Sequence, residues 1–303
     1  MRTALDCIPC LLRQALEAAR LVSANPAIHE QILREVLQWV EGMDLNQSPP
    51  AMAQRIHRRL RQITGISDPY LTAKIRQNRL ALKLLPELRA EIQSSGSPLV
   101  TAARMAIAGN MIDMGVNGSV KDADVYQAMR QALSDPFFGE QDRFCQAVGA
   151  AQSILYLADN AGEIAFDRLL IEQISPARVT LAVRGAPVIN DATLADAQAV
   201  GLDEIVEVID NGSDAPGTLL EDCSQAFRRR FAQADLVIAK GQGNYESLSH
   251  QPGNLFFLFK VKCQIAAQNI LQPVGTQVLA HASLVALAMA HWLDRRFDGC
   301  PPE

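Results

Sequence analysis

The sequence lacks the signatures of several large enzyme classes, and it lacks long apolar runs. No stretch approaches the roughly 18 uninterrupted apolar residues of a membrane span. The opening Met-Arg-Thr-Ala-Leu-Asp-Cys has no signal-peptide apolar core. The expectation is a cytoplasmic protein with no membrane partner. Cysteine is sparse: the six residues, at 7, 10, 145, 223, 263 and 300, are mostly embedded in apolar patterns rather than spaced as a disulfide framework. Five scattered histidines, at 29, 57, 250, 281 and 291, offer no His-rich zinc site. No Gly-x-x-x-x-Gly-Lys-Ser/Thr occurs, and no Gly-x-Gly-x-x-Gly follows the first strand of the alternating region described below, which disfavours P-loop enzymes and nicotinamide dehydrogenases. Without a Gly-x-Ser-x-Gly elbow a serine hydrolase has no support. Excess positive charge is missing too: a net charge of −5 and a pI of about 5.6 argue against nucleic acid or an anionic membrane as partner.

What is present is a chain of 303 residues, 49% hydrophobic and 20% charged, with ample material for a large core. In the first hundred residues apolar positions recur at spacings of three and four between turn signals, which predicts helices over 11–22, 28–40, 51–64, 71–85 and 88–92, with Pro86 as a breaker. A further helix is expected over 98–111, and another helical stretch over 120–148 with a turn at Asp135-Pro136. After residue 150 the rhythm alternates. Strands are expected at 154–158, 179–183, 205–209, 236–239 and 255–259, with a sixth near 276–279. Helices lie between, beginning for example at Asp191 and Pro216, and one closes the chain at 283–292. This βα alternation predicts an α/β fold: a mainly parallel sheet with helices on both faces, Rossmann-like and three-layered, preceded by an all-α domain. The expected division is a helical domain at 1–96 that covers the sheet edge and shapes the substrate pocket, and a catalytic α/β domain at 97–303.

In such a sheet ligands bind beyond the carboxyl ends of the strands. The first strand of the alternating region runs into Asp159-Asn160-Ala161-Gly162-Glu163, so Asp159, Asn160 and Glu163 bring three oxygen-bearing side chains there. Two carboxylates and an amide oxygen suit a hard divalent cation. The next four strands end in Arg184, Asp210, Lys240 and Lys260. Acidic groups would bind a metal and basic groups its anion, while turns containing Gly162, Gly212, Gly241 and Gly243 let backbone N–H groups approach. The competing reading is that Asp159 and Asn160 cap a helix and the other charges solvate the sheet edge.

Four segments carry a more specific signal: Asp159-Asn160-Ala161-Gly162-Glu163, Asn190-Asp191-Ala192-Thr193, the stretch from Asp210 to Gly217, and Lys240-Gly241-Gln242-Gly243-Asn244-Tyr245-Glu246. Together they resemble the metal-dependent damage-control phosphatases, known earlier as domain of unknown function 89. Asp6-Cys7-Ile8-Pro9-Cys10, Asp68-Pro69-Tyr70 with Lys74 and Asn78, and Ala108 to Asp113 resemble that family's prokaryotic stand-alone branch. The resemblance implies that Asp159, Asn160 and Asp191 hold a divalent ion (Mn²⁺, Ni²⁺, Co²⁺ or Mg²⁺). It also implies that Glu163, Asn110 and Asp113 line the site and that Lys240 contacts phosphate. Arg184 enters only through its strand-end position. The chain lacks the Arg-Thr-x-Lys motif of the family's eukaryotic methyltransferase-named branch.

The expected reaction is hydrolysis of a small phosphorylated metabolite of sugar-phosphate, nucleotide or phosphopantetheine type, with damaged metabolites as the target. One divalent ion would polarise the phosphorus and acidify a water. Lys240 and the N–H groups of the Gly241 to Gly243 turn would share the remaining charge. Two other functions use the same residues: an S-adenosylmethionine-dependent methyltransferase, and a metal-dependent binding module without turnover. Cys7 and Cys10 start a helix and have no second pair for a zinc site, which leaves buried thiols at a helix entry or a role beside the active site.

Overall fold

Short apolar runs without a polar break have no exposed face to offer, so they become the doubly covered centre of a sheet. The computed structural model describes residues 1–109, 127, 129–131 and 133–297. Its sheet consists of Phe137–Gly139 (β1), Ile154–Leu157 (β2), Val179–Val183 (β3), Glu207–Asp210 (β4), Leu236–Lys240 (β5), Leu255–Lys260 (β6) and Gln277–His281 (β7). The spatial order is β1-β7-β6-β5-β2-β3-β4. Only β6 and β7 run antiparallel. Leu157 lies level with Ala182 on one side and Ala239 on the other, so β3, β2 and β5 reach their carboxyl ends together. From β2 the chain steps outward to β3 and β4, then returns to lay β5 on the other side of β2. That reversal is a topological switch point, where open α/β sheets place their ligand crevice, here between the loops that leave β2 and β5.

The helices before the sheet are Cys7–Val22 (α1), Pro26–Glu41 (α2), Pro49–Thr64 (α3), Leu71–Ser94 (α4) and Pro98–Gly109 (α5). Between and after the strands lie Gln141–Ala150 (α6), Glu163–Gln173 (α7), Leu194–Ala199 (α8), Gln225–Gln233 (α9), Gly241–Leu248 (α10), Gln264–Ile270 (α11) and Ala282–Phe297 (α12). Three expectations are corrected. Pro86 does not break α4. A proline inside a helix costs about 3 kcal/mol, whereas Leu84, Leu85, Leu88 and Ile92 are all buried, each worth about 1.5–3 kcal/mol, so packing wins. Residues 137–139, expected as helix, form edge strand β1, where a Cβ on Gly139 would stand 2.0 Å from the Leu279 carbonyl oxygen. The stretch from Pro216 is not helical either, and the helix there starts only at Gln225, capped by Ser224.

The cores divide differently from the expected boundary at residue 96. Leu11, Ala15, Ile32, Val36, Met52, Ile56 and Leu60 join α1, α2 and α3 in a core of their own. From α4, by contrast, Ala81, Leu84, Leu85, Leu88 and Ile92 enter the same core as Tyr156, Phe166 and Leu181 of the α/β layer. The break between cores therefore falls between α3 and α4, while α4 and α5, on either side of exposed Gly96, share one. No helix among the described residues is long and apolar enough to cross a membrane.

His57, buried in α3, has an Nε2 atom with no hydrogen-bond partner. Burial, aided by nearby Arg61, pulls its pKa down to about 4. The unfolded chain takes up this proton near pH 6.5 and the folded one only near 4. The associated stability is thus complete above pH 6.5 and lost as pH falls toward 4, by up to about 3 kcal/mol. Urea unfolding of wild type and His57→Gln at pH 7.5 and pH 5 checks this: the wild type should lose about 2 kcal/mol more than the variant over that interval. Parallel losses would refute it.

Candidate active site at the switch point

The turn after β2 owes its shape to a neighbouring loop. Ala192 N–H donates to the Asp159 carbonyl (2.8 Å) and Ala161 N–H to the Asn190 carbonyl (2.8 Å). Asn160 and Asp191 consequently face each other in an isolated antiparallel bridge. Residues 31 positions apart are thus locked together by backbone, before any side chain acts. Thr193 and Asp196 close a capping box at the start of α8, which fixes the other end of that loop. From α4, Asn78 Oδ1 accepts the Gly162 N–H (2.7 Å) while its Nδ2 donates to Asp196 (2.9 Å). Lys74 Nζ pairs with Asp196 at 2.7 Å and Asp68 at 3.3 Å. Asn78, Lys74 and Asp196 form one buried polar strut between α4 and the two loops.

Asp159, Asn160, Glu163, Arg184, Asp191, Lys240 and Gly241 come together in the crevice. Asn160 Nδ2 donates to Asp159 Oδ2 (2.8 Å) and Glu163 Oε2 (3.2 Å). Its N–H₂ group is thereby committed, and its Oδ1 is the atom left for a cation. Arg184 Nε donates to Asp191 Oδ2 at 2.7 Å, and its Nη2 stands 3.8 Å from Asp159 Oδ1 without a hydrogen bond. Asn244, fully buried, binds the Lys240 and Ala158 carbonyls through Nδ2 and accepts from Thr218 through Oδ1, tying the turns after β2 and β5 together. Gly241 has φ +81°, and a Cβ there would lie 1.9 Å from Asp159 Oδ2. Only a glycine lets this turn pass so close to the carboxylate.

Lys240 does not sit as the family resemblance implies. Its fully buried ammonium donates to Glu163 Oε1 (2.7 Å), Asp167 Oδ1 (2.5 Å) and the Ala106 carbonyl (2.8 Å). An ammonium has three protons. All three are used, so in this arrangement none is free for a phosphoryl oxygen. Gly243 backs onto Pro216 rather than the crevice. Asp210 is exposed and turns back to the Gly212 N–H, and Lys260 pairs with Asp135. Of the five strand-end charges, then, three share the crevice. Asn110 and Asp113 lie outside the described residues. Cys7 is half-buried and Cys10 exposed, both free, with burial pushing both thiols up.

Asp159, Glu163, Asp167 and Asp191 are buried carboxylates; among the described residues Arg184 and Lys240 contact them directly, and Lys74 acts on Asp191 from the strut. Titration behaviour follows. Burial drives Asp191 up to about 7, with Arg184 opposing and Asp159 reinforcing. Burial likewise drives Glu163 up to about 8 against the pull of Lys240, with Asp159 and Asp167 adding to the rise. Burial alone would lower Lys240, but Asp167 and Glu163 together raise it. Among the described residues no three His, Cys, Asp or Glu converge as a closed metal cluster. The oxygen donors available are two carboxylates and an amide, in surroundings richer in acidic than in basic side chains, which fits one hard divalent ion.

The fold and crevice define a three-layer α/β protein with an acid-rich site at its switch point. Residues 3–278 match the damage-control phosphatase ARMT1-like domain, and the chain belongs to that family. It is 34% identical over 281 residues to a damage-control phosphatase of Archaeoglobus fulgidus, covering 90% of this chain and 96% of that protein. It is 30% identical over 284 residues to one of Pyrococcus horikoshii, covering 92% and 97%. The crystal structure of a DUF89 family protein from Pyrococcus horikoshii superposes with a TM-score of 0.85 at 29% identity, over 93% of this chain and 99% of that one.

Asp167, Asn244, Thr218 and Asp196 were not assigned roles from sequence. Asp167 had a legible signal, since it lies four residues after Glu163 and therefore on the same helix face. Asn244 and Thr218 had none, because their partners are backbone carbonyls and each other. Two substitutions isolate the close approach at Gly241. Gly65, at φ +69° with open space around it, reports backbone strain alone. Gly65→Ala should cost about 1 kcal/mol in urea unfolding, whereas Gly241→Ala should cost about 2–4 kcal/mol because the methyl also displaces Asp159. Equal losses would mean that the carboxylate yields freely.

Proposed function

We propose that this chain is a metal-dependent phosphatase that hydrolyses small phosphorylated metabolites of sugar-phosphate, nucleotide or phosphopantetheine type, and so removes damaged ones. The observation that carries this reading is the charge imbalance of the crevice. Buried carboxylates outnumber the buried cations beside them, an arrangement that burial opposes strongly, and a divalent ion would offset the excess. Asp159, Asn160 and Asp191 would hold the ion, with Asn160 presented by its Oδ1. When bound, the ion supplies Lewis-acid polarisation and a water of lowered pKa.

The remaining work falls to the chain's own groups. Arg184 Nη2, buried and without a hydrogen bond, is a donor for a phosphoryl oxygen. The start of α10 adds the positive end of a helix and the Gly241 N–H. Lys240 contributes a fixed positive charge rather than a direct contact. Helix α3 spans the rim: Gln54, Arg58 and Arg61 engage Asp214, with Gln54 and Arg58 also on Asp222. Arg61 also donates to the Pro187 carbonyl at 2.8 Å. The α1–α3 layer thereby covers the loops after β3 and β4, a position from which it would shape the substrate pocket.

The test is a phosphate-release screen over sugar phosphates, nucleotides, phosphopantetheine compounds and a chromogenic aryl phosphate, with Mg²⁺, Mn²⁺, Co²⁺ and Ni²⁺ supplied separately. Activity should require added metal. Asp159→Ala and Asp191→Ala should lower Mn²⁺ affinity in calorimetry and turnover together, by a factor on the order of 10². Normal metal binding and turnover in both variants would sink the site.

A further inference from the structure

Lys240 is held by an unusual pair. Glu163 Oε1 and Asp167 Oδ1 stand one helical turn apart on α7, and the ammonium sits between them with its third proton on the Ala106 carbonyl. Glu163 is tied at both oxygens, by Lys240 on one and by Asn160 Nδ2 on the other. Asp167 is tied at only one. Tyr156 from the centre of β2 donates to Oδ1 at 2.8 Å, the atom that also takes Lys240. Asp167 Oδ2 is buried with no hydrogen-bond partner.

We propose that Asp167, oriented by Tyr156, is a positioning residue that centres the Lys240 ammonium so that Glu163 keeps one oxygen for Asn160. The proposal rests on the metal-dependent phosphatase reading and extends it from the crevice into the sheet core. The geometry forms one continuous chain: Tyr156 to Asp167, Lys240, Glu163, Asn160 and Asp159. With Asp167 neutral, the ammonium would be drawn wholly to Glu163. Glu163 would then release its hold on the Asn160 amide, and the atom meant for a cation would lose its fixed direction.

Stability separates this role from a structural one. Asp167 carries a buried charge with one orphaned oxygen, and burial raises its pKa against the pull of Lys240. Lys240 keeps Glu163 as counter-charge when Asp167 is neutralised, so the Lys240, Glu163 and Asp167 group passes from a net negative charge to zero. A residue kept for stability would not be arranged this way.

The experiment compares wild type, Asp167→Asn, Tyr156→Phe and the double variant, with Mn²⁺ and the chromogenic aryl phosphate. Asp167→Asn should lower kcat about tenfold or more with KM unchanged, and its metal-free melting temperature should equal or exceed that of wild type. Tyr156→Phe should lower kcat by a smaller factor, about threefold. The double variant should be no slower than Asp167→Asn, because the hydroxyl acts through the carboxylate. A kcat within twofold of wild type for Asp167→Asn, or factors that multiply fully in the double variant, would overturn the proposal. If wild type releases phosphate from no compound with any metal, the phosphatase reading fails. The melting comparison then decides alone: a lower melting temperature for Asp167→Asn rejects the positioning role, and an equal or higher one retains it.

Discussion

A single buried ammonium organises the centre of this molecule. Lys240 ends β5, Glu163 and Asp167 begin α7, and Ala106 lies near the end of α5, so one head group joins three elements remote in sequence. Removing the lysine would leave both carboxylates uncompensated where neither can be hydrated, a loss of several kcal/mol. That constraint ties the end of β5 to the start of α7, the helix that follows the β2 turn. The helix carrying the carboxylates also packs on α5 and α4, through Phe166, Leu169 and Leu170 in the shared core. The apolar packing sets where the carboxylates sit, and the lysine ties the end of β5 to them.

The crevice also holds more negative charge than the fold needs. A sheet edge that only required solvation would leave its carboxylates at the surface, as happens at Asp210, which is exposed. Asp159, Asp191, Glu163 and Asp167 are buried instead. The folded chain carries this cost because the backbone leaves little choice: the bridge between Asn160 and Asp191 and the Gly241 turn press these groups together irrespective of their charge. Local rules broken in one place, within an otherwise consistent fold, are where a functional or strained site is expected.

Much of this was legible in the residues. Uninterrupted apolar runs ending in a polar group located β2, β3 and β5 to within a residue or so, since strands buried on both faces leave a plain periodic signal. The α/β class followed from their alternation with helices. What sequence pattern could not supply was partnership. Lys240 and Lys260 end consecutive strands in the same manner, yet one is buried among carboxylates of α7 and the other pairs with Asp135 beside β1. The difference depends on the neighbouring helix, which only the three-dimensional arrangement reveals. Pro86 misled for a related reason, because a local breaker was outweighed by four apolar side chains whose burial depends on the distant sheet.

The helical layer meets the crevice by two kinds of contact, and they differ in physical consequence. Helix α4 is held by apolar burial along its second half and by the Asn78, Lys74 and Asp196 strut along its first. The strut is buried, so solvent and salt reach it poorly and it transmits position faithfully to the Gly162 N–H. Helix α3 has its own core with α1 and α2 and reaches the β4 loop through Gln54, Arg58 and Arg61 on Asp214 and Asp222. Arg58 is largely exposed, and paired charges at such a rim can separate into water at a cost of about 1 kcal/mol each. The two attachments therefore differ in kind: α4 belongs to the frame that aligns the Asp159 to Glu163 turn, while the α1–α3 unit is joined through the partly exposed Arg58 pairs, the buried Gln54 and Asp214 contact, and Met1 in the core beneath β5 and β6.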